Sequence, residues 1–318
     1  MAAHEEHRKG DGNDGRRWGR KFTDDRNWRE YNEELVVRGE FLLETKWVGS
    51  WDNELTAMNN GKRGKPFEYP ESLIKLQGAW HQWIDYRGVE GVTRKLVEHN
   101  IVPTHNDFST INRRVNALDI GIALPRSGTV RVACDGTGMK LENGGEHRAK
   151  LYGKKKRRYI RVIITADPTT KQLLDCDVAV EGEGPSEPGF ARRSMESMLQ
   201  QGLRIEKFWG DGAFDDTALF AFLERNGIEP AIKPRKNAVL SGEGTLRDRE
   251  ITERNRLGYK EWARKREYGQ RWTGTEGIFS AVKRKFGECI RAHVIENAIK
   301  KAKMKFWAYE AMKAYART

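Results

Sequence analysis

The sequence predicts an α/β fold, a mixed sheet with helices on both faces, preceded by a small all-helical region. Two observations predict it. Before residue 129 the apolar residues recur at helical spacing with no strand-like run, whereas from Thr129 short apolar runs of strand length take over. Those runs then alternate with helical segments as strand, helix, strand, helix, strand, the order that builds parallel pairing.

Residues 1–25 are rich in Gly, Arg, Asp and His with little to bury, and read as a basic tail without fixed structure. Tyr31, Leu35, Phe41, Trp47 and Trp51 suggest two short helices parted at Arg38-Gly39, and residues 59–66 read as a basic linker. After Pro70, Leu73, Leu76, Trp80 and Trp83 mark a helix, and residues 89–98 mark another, with Val92, Leu96 and Val97 on one side. Past a turn at Pro103, Asn106-Asp107 looks like the cap of a helix over residues 108–118 that exposes Asn112, Arg113 and Arg114. A hairpin of this kind fits a helix-turn-helix DNA reader, with Arg113 and Arg114 as candidate readers. Helical hairpins that only pack are common, so both readings stand. The helical DNA-binding region is placed at 26–125 and the α/β domain at 126–318.

In the α/β domain the run Arg131 to Gly138 reads as a strand that ends at Asp135, since Gly136 and Gly138 permit a turn there. A basic stretch follows, containing Lys154, Lys155, Lys156, Arg157 and Arg158, which suits either backbone contact with DNA or a solvated hairpin. Residues 159–165 and 173–180 are strands on either side of Asp167-Pro168, a hairpin signal. Residues 190–201 read as a helix, 204–209 as a strand, 217–225 as a helix and 229–232 as a strand. Residues 236–262, dense in charge, read as an irregular stretch, and the insertion is placed at about 236–265. From about Thr273 the chain reads as helical to its end.

The chain has 58 Lys and Arg against 46 Asp and Glu, a net charge of +12, which points to a polyanionic partner or to a merely soluble basic protein. Its three cysteines, Cys134, Cys176 and Cys289, lie far apart with no CxxC or Cys/His spacing, so neither a disulfide framework nor a structural zinc site is indicated. No apolar run approaches the ~18 residues of a membrane span and no signal peptide is visible, so the cytoplasm is expected.

Three carboxylates stand out. Asp135 and Asp211 each end an apolar run beside glycine, where open α/β sheets bind ligands. If their strands are neighbours the two carboxylates converge, an arrangement that a divalent cation between them stabilises. Asp216 is placed instead to cap the next helix. Glu276 precedes Lys283 by seven residues, so both lie on one face of a helix whose apolar side carries Ile278, Phe279, Val282 and Phe286. Thr273-Gly274-Thr275-Glu276 also fits a capping box, in which Glu276 only satisfies a backbone amide.

Together Asp135-Gly136-Thr137-Gly138, Gly210-Asp211-Gly212-Ala213-Phe214 and the Glu276-to-Lys283 spacing resemble the DDE transposases of bacterial and archaeal insertion sequences, whose catalytic domain is RNase H-like. Phrases in the helical half are similar too, among them Tyr86-Arg87-Gly88-Val89-Glu90-Gly91 and Phe108 to Arg114. One group within these enzymes carries Tyr, two residues, Arg, three residues, Glu, six residues, Lys. Here Tyr268, Arg271, Glu276 and Lys283 match, except that four residues separate Arg271 from Glu276. On a continuous helix the extra residue turns Arg271 by about 100°. Gly274 suggests that the helix starts near Thr273, with Arg271 on an irregular lead-in.

The resemblance implies a transposase that cuts the ends of an insertion sequence and joins them to target DNA. It implies that Asp135, Asp211 and Glu276 hold two Mg²⁺ ions, for which Mn²⁺ substitutes, and that Tyr268, Arg271 and Lys283 hold DNA phosphates. Double-stranded DNA and a homodimer on it are the implied partners. The rival readings are a catalytically inactive DNA-binding copy or repressor, and an RNase H-like nuclease that cuts without joining.

Overall fold

The computed structural model describes residues 27–142 and 159–317. The N-terminal tail and the basic run Lys154 to Arg158 lie outside the described residues. The helical part comprises α1 (Trp28–Glu40), α2 (Trp51–Asn59), α3 (Glu71–Trp80), α4 (Tyr86–Glu98) and α5 (Phe108–Ala117). Helix α1 runs through Arg38-Gly39 without a break, and short 3-10 turns at Phe41–Leu43 and Lys46–Ser50 separate it from α2. A buried amide pair fixes the hairpin: Gln77 Nε2 donates to Asn106 Oδ1 at 2.6 Å and Asn106 Nδ2 returns to Gln77 Oε1 at 3.0 Å. Gln77 also donates to Thr93 on α4, so α3, α4 and the turn before α5 are pinned by one network with its donors and acceptors matched. The N-cap of α5 is Asp107, which accepts from the amides of Ser109 and Thr110.

The sheet comprises β1 (Thr129–Glu142), β2 (Tyr159–Ala166), β3 (Leu173–Val180), β4 (Arg204–Gly210), β5 (Glu229–Ile232) and β6 (Cys289–Arg291). Its order is β3-β2-β1-β4-β5, with β6 on the far end of β1. Antiparallel pairing joins β1, β2 and β3, and parallel pairing joins β1 to β4, β4 to β5 and β1 to β6. An antiparallel meander continued by two parallel strands is the RNase H-like arrangement. Asp167 holds the β2–β3 hairpin, accepting from the amides of Thr169, Thr170 and Arg131.

Two apolar layers sandwich the sheet. On one face α6 (Glu187–Gln200) and α7 (Thr217–Arg225) cover Val130, Val132 and Cys134 of β1. On the other, α10 (Glu276–Phe286) and α11 (Ile295–Tyr315) cover Met139 and Leu141. The period-two alternation therefore sends even-numbered β1 residues toward α6 and odd-numbered ones toward α10. Helix α11 also joins the two halves, since Phe306 and Ala308 enter the sheet core while Met304 enters the core of the helical part. Among the described residues no helix is long and apolar enough to cross a membrane.

Besides the expected break at Arg38-Gly39, three sequence expectations are corrected. β1 does not end at Asp135 but continues to Glu142, with Gly136 and Gly138 extended in the strand and paired to β2. Residues 236–265 are not irregular throughout, for α8 (Leu246–Lys265) folds within them, bent at Gly258 with φ 72°. Charge supports that bend: Glu250 accepts from Arg266 and Trp262, and Glu253 from Lys265 and Arg266. The C-terminal stretch is interrupted by β6.

The joint between α3 and α4 carries a titratable group. His81 stacks on Tyr86 at 3.7 Å, and burial followed by the charge of Lys301 pushes its imidazole down to about 4. An unfolded histidine takes its proton near 6.5. Between those values the unfolded chain binds the extra proton, so this group's contribution to stability falls as pH drops from about 6.5 through about 4. Urea unfolding of wild type and His81→Phe at neutral and acid pH is expected to show a smaller acid loss for the variant; equal losses would refute the assignment.

Candidate active site

β1 and β4 run side by side only as far as the pair Ala133 and Trp209. Asp135 and Asp211 each lie two residues beyond it, where the strands part, and the parallel register therefore delivers both to one fork. Local packing explains the second motif. A Cβ on Gly210 would stand 2.7 Å from the Phe214 ring, which is buried beneath the sheet, so the chain turns sharply after β4. Asp211 caps that turn by accepting from the Ala213 amide at 2.7 Å. Asp216, as expected, caps α7 by accepting from the Leu219 amide.

Asp135, being odd-numbered, faces the α10 side. Its Oδ2 accepts from Arg271 Nη1 at 3.0 Å and from Thr275 Oγ1 at 3.4 Å, while Oδ1 accepts from the Gly136 amide at 2.9 Å. Burial raises its carboxyl above the ordinary carboxylate range, Arg271 pulls it down, and the charge of Asp211 adds to the rise. Arg271 is itself buried, lies over the rings of Tyr268 and Trp272, and leaves Nε without a hydrogen-bond partner.

The extra residue before Glu276 is absorbed by a break. Arg271 sits in a short helix of its own, α9 (Gln270–Gly274), and Glu276 opens α10. Thr275 lies between them at φ −111° and ψ −61°, so the two helices are not continuous and Arg271 still reaches Asp135. Sequence reasoning placed the helix start near Thr273 and Arg271 on an irregular lead-in; both are corrected. The capping box is also absent, because Thr273 Oγ1 donates to the Gln270 carbonyl and α10 has no side-chain cap. Glu276 is half-buried; burial raises its carboxyl, Arg271 lowers it and Asp135 raises it.

The other expected residues are placed unequally. Lys283 Nζ donates to Thr137 Oγ1 at 2.8 Å and to the Gly138 carbonyl at 3.0 Å, which ties α10 to β1. Tyr268 is buried against Trp262, and burial raises its hydroxyl. On α5, Arg113 is exposed, whereas Arg114 lies over the Phe67 ring at 4.3 Å and donates to the Tyr69 carbonyl.

Sequence reasoning missed Glu187, in the first turn of α6. Its Oε1 would be 2.5 Å from a Cβ on Gly136, so the glycine makes room for this carboxylate at the fork. Burial raises Glu187, and Asp211 and then Asp135 add to the rise. Ser186-Glu187-Pro188 carries only the signal of a helix start, with Ser186 as N-cap, so nothing local marks Glu187.

Every donor at the fork is a carboxylate oxygen, the chemistry that hard divalent cations take. Among the described residues no three His, Cys, Asp or Glu side chains stand close enough to hold an ion, and the cation on Asp135 is the Arg271 guanidinium.

An RNase H-like sheet with an acidic fork defines the class of protein. Residues 126–316, more than half of the chain, match the transposase DDE domain family, and residues 36–144 match a second family of that description. The chain belongs to the DDE transposases. It is also similar to a solved structure, the piggyBac transposase synaptic complex with hairpin DNA, at 9% identity and a TM-score of 0.38, over 89% of this chain and 75% of that one.

Gly274 packs α9 against the hairpin, and a Cβ there would lie 3.1 Å from Pro168 Cα and 3.3 Å from Ala133 Cβ. Gly274→Ala is expected to lower the unfolding free energy by about 1–3 kcal/mol, as overpacking does. Denaturant unfolding checks this, and an unchanged midpoint would show that the contact yields without cost.

Proposed function

We propose that this transposase binds the ends of an insertion sequence and catalyses metal-dependent cleavage and strand transfer, with Asp135, Asp211 and Glu276 as the catalytic carboxylates. The observation that carries the proposal is the shared register: Asp135 and Asp211 stand in step beyond the last pair of β1 and β4, with Arg271 held as counter-ion. The three carboxylates would hold two Mg²⁺ ions, whose chemistry is to activate an attacking oxygen and stabilise a leaving one during in-line displacement. Hydrolysis of a phosphodiester leaves a 3′-OH on the element, and that 3′-OH then attacks target DNA.

The chain's own residues orient the strand. Arg271 offers a planar guanidinium with a spare buried N–H, the geometry that suits a phosphate oxygen. Lys283 has three donors and uses two on β1, leaving one for a phosphate at the cleft. Tyr268 supports Arg271 from below and lines the same cleft. Lys154, Lys155, Lys156, Arg157 and Arg158 would grip the backbone without sequence preference. On α5, Arg113 is the better placed reader of base edges, since Arg114 is committed to Phe67 and Tyr69.

Asp135→Asn, Asp211→Asn and Glu276→Gln are each expected to abolish Mg²⁺-dependent cleavage of linear DNA carrying the sequences that flank the gene, while binding to that DNA persists. A strand-joining assay with plasmid target completes the test. Full cleavage by any one variant removes that residue from the trio. Tight binding by wild type without cleavage favours an inactive copy or repressor, and cleavage without joining favours a nuclease.

A further inference from the structure

Beside the fork lies a cavity of about 140 Å³ lined by Asp211, Gly212, Lys233, Tyr259, Tyr268, Arg271 and Trp272. Small-molecule sites begin at roughly 300 Å³, so the space suits one compact group and not a cofactor. Two cations contribute to its wall. Lys233, the residue after β5, rests its ammonium over the Tyr259 ring at 5.2 Å and has no acidic partner among the described residues. Arg271 contributes its guanidinium, which pairs with Asp135 through Nη1 alone. Charged donors of this kind favour an incoming anionic oxygen acceptor. The paired cations disfavour a metal ion, and the charged lining disfavours an apolar ligand. Tyr259, Tyr268 and Trp272 offer ring surface to whatever flanks the anion.

We propose that this cavity seats one phosphodiester of a bound DNA strand, with Lys233 as a strand-binding residue and Tyr259 of the inserted helix α8 as its wall. The proposal rests on the reading that DNA occupies the cleft beside Asp135 and Asp211. Lys233 comes from outside the acidic trio and outside the Tyr268, Arg271 and Lys283 set. Its position explains a use for the insertion: α8 brings Tyr259 over the end of β5, so Lys233 is held facing Arg271 across the space.

The test uses the full chain and fluorescence anisotropy with duplex DNA carrying the sequences that flank the gene, titrated across salt concentrations. Lys233→Ala is expected to weaken binding about 3- to 10-fold and to make the slope of log K against log salt shallower by about 0.9, the loss of one phosphate contact. Lys233→Arg is expected to keep both. A series of duplexes, each with a single neutral methylphosphonate, provides a second readout that needs no variant to fold. One position is expected to weaken wild type and to have a smaller effect in Lys233→Ala. Unchanged affinity and slope in Lys233→Ala, with wild type binding normally, overturn the phosphate seat alone. Failure of wild type to bind this DNA overturns the functional reading and the seat with it.

Discussion

The Arg271–Asp135 ion pair is the interaction around which the cleft is arranged. Asp135 and Asp211 share a fork from which β1 and β4 diverge, and Glu187 adds a third negative charge from the α6 side. Without a cation the fork would be strained by like charges in a partly desolvated place. The guanidinium supplies that cation from within the chain, and its position depends on α9 being a separate short helix packed on the β2–β3 hairpin through Gly274.

That dependence links distant parts of the fold to the chemistry. The hairpin is set by Asp167, α9 sits on the hairpin, and Arg271 projects from α9. On the other flank, Lys305 of α11 donates to the carbonyls of Phe286 and Gly287 at the end of α10 and to that of Cys289 in β6. This satisfies backbone acceptors that a helix end leaves unpaired and holds the helix that begins with Glu276. Because α11 also enters the core of the helical part through Met304, the helical part and the acidic fork share one structural member.

Much of this was legible along the chain. The strands over residues 173–180 and 229–232 and the helix over 217–225 stand where their patterns put them, because each is a short apolar run bounded by turn residues or a cap. Asp216 was separable from Asp211 by the same logic of capping. Less legible was β1, whose glycines read as a stop; they are extended instead, and Gly136 is small to admit Glu187 from another element. The bent α8 was hidden because charge pairs across Gly258, not an apolar stripe, hold it together. β6 is too short to carry a pattern of its own and exists by pairing with the far end of β1.

By itself the sequence determined β3, β5 and α7, the end of β4 just before Asp211 and the helix that carries Glu276 and Lys283, since each depends on residues near one another in the chain. Only the tertiary structure decided what those residues meet. The one-residue excess between Arg271 and Glu276 illustrates the difference. Counted along a helix it turns Arg271 away, but a break at Thr275 restores the contact with Asp135, next to the close approach of Gly274 to Pro168 and Ala133. Glu187 over Gly136 and Lys233 facing Arg271 were likewise settled by packing across the sheet, between segments that local pattern does not connect.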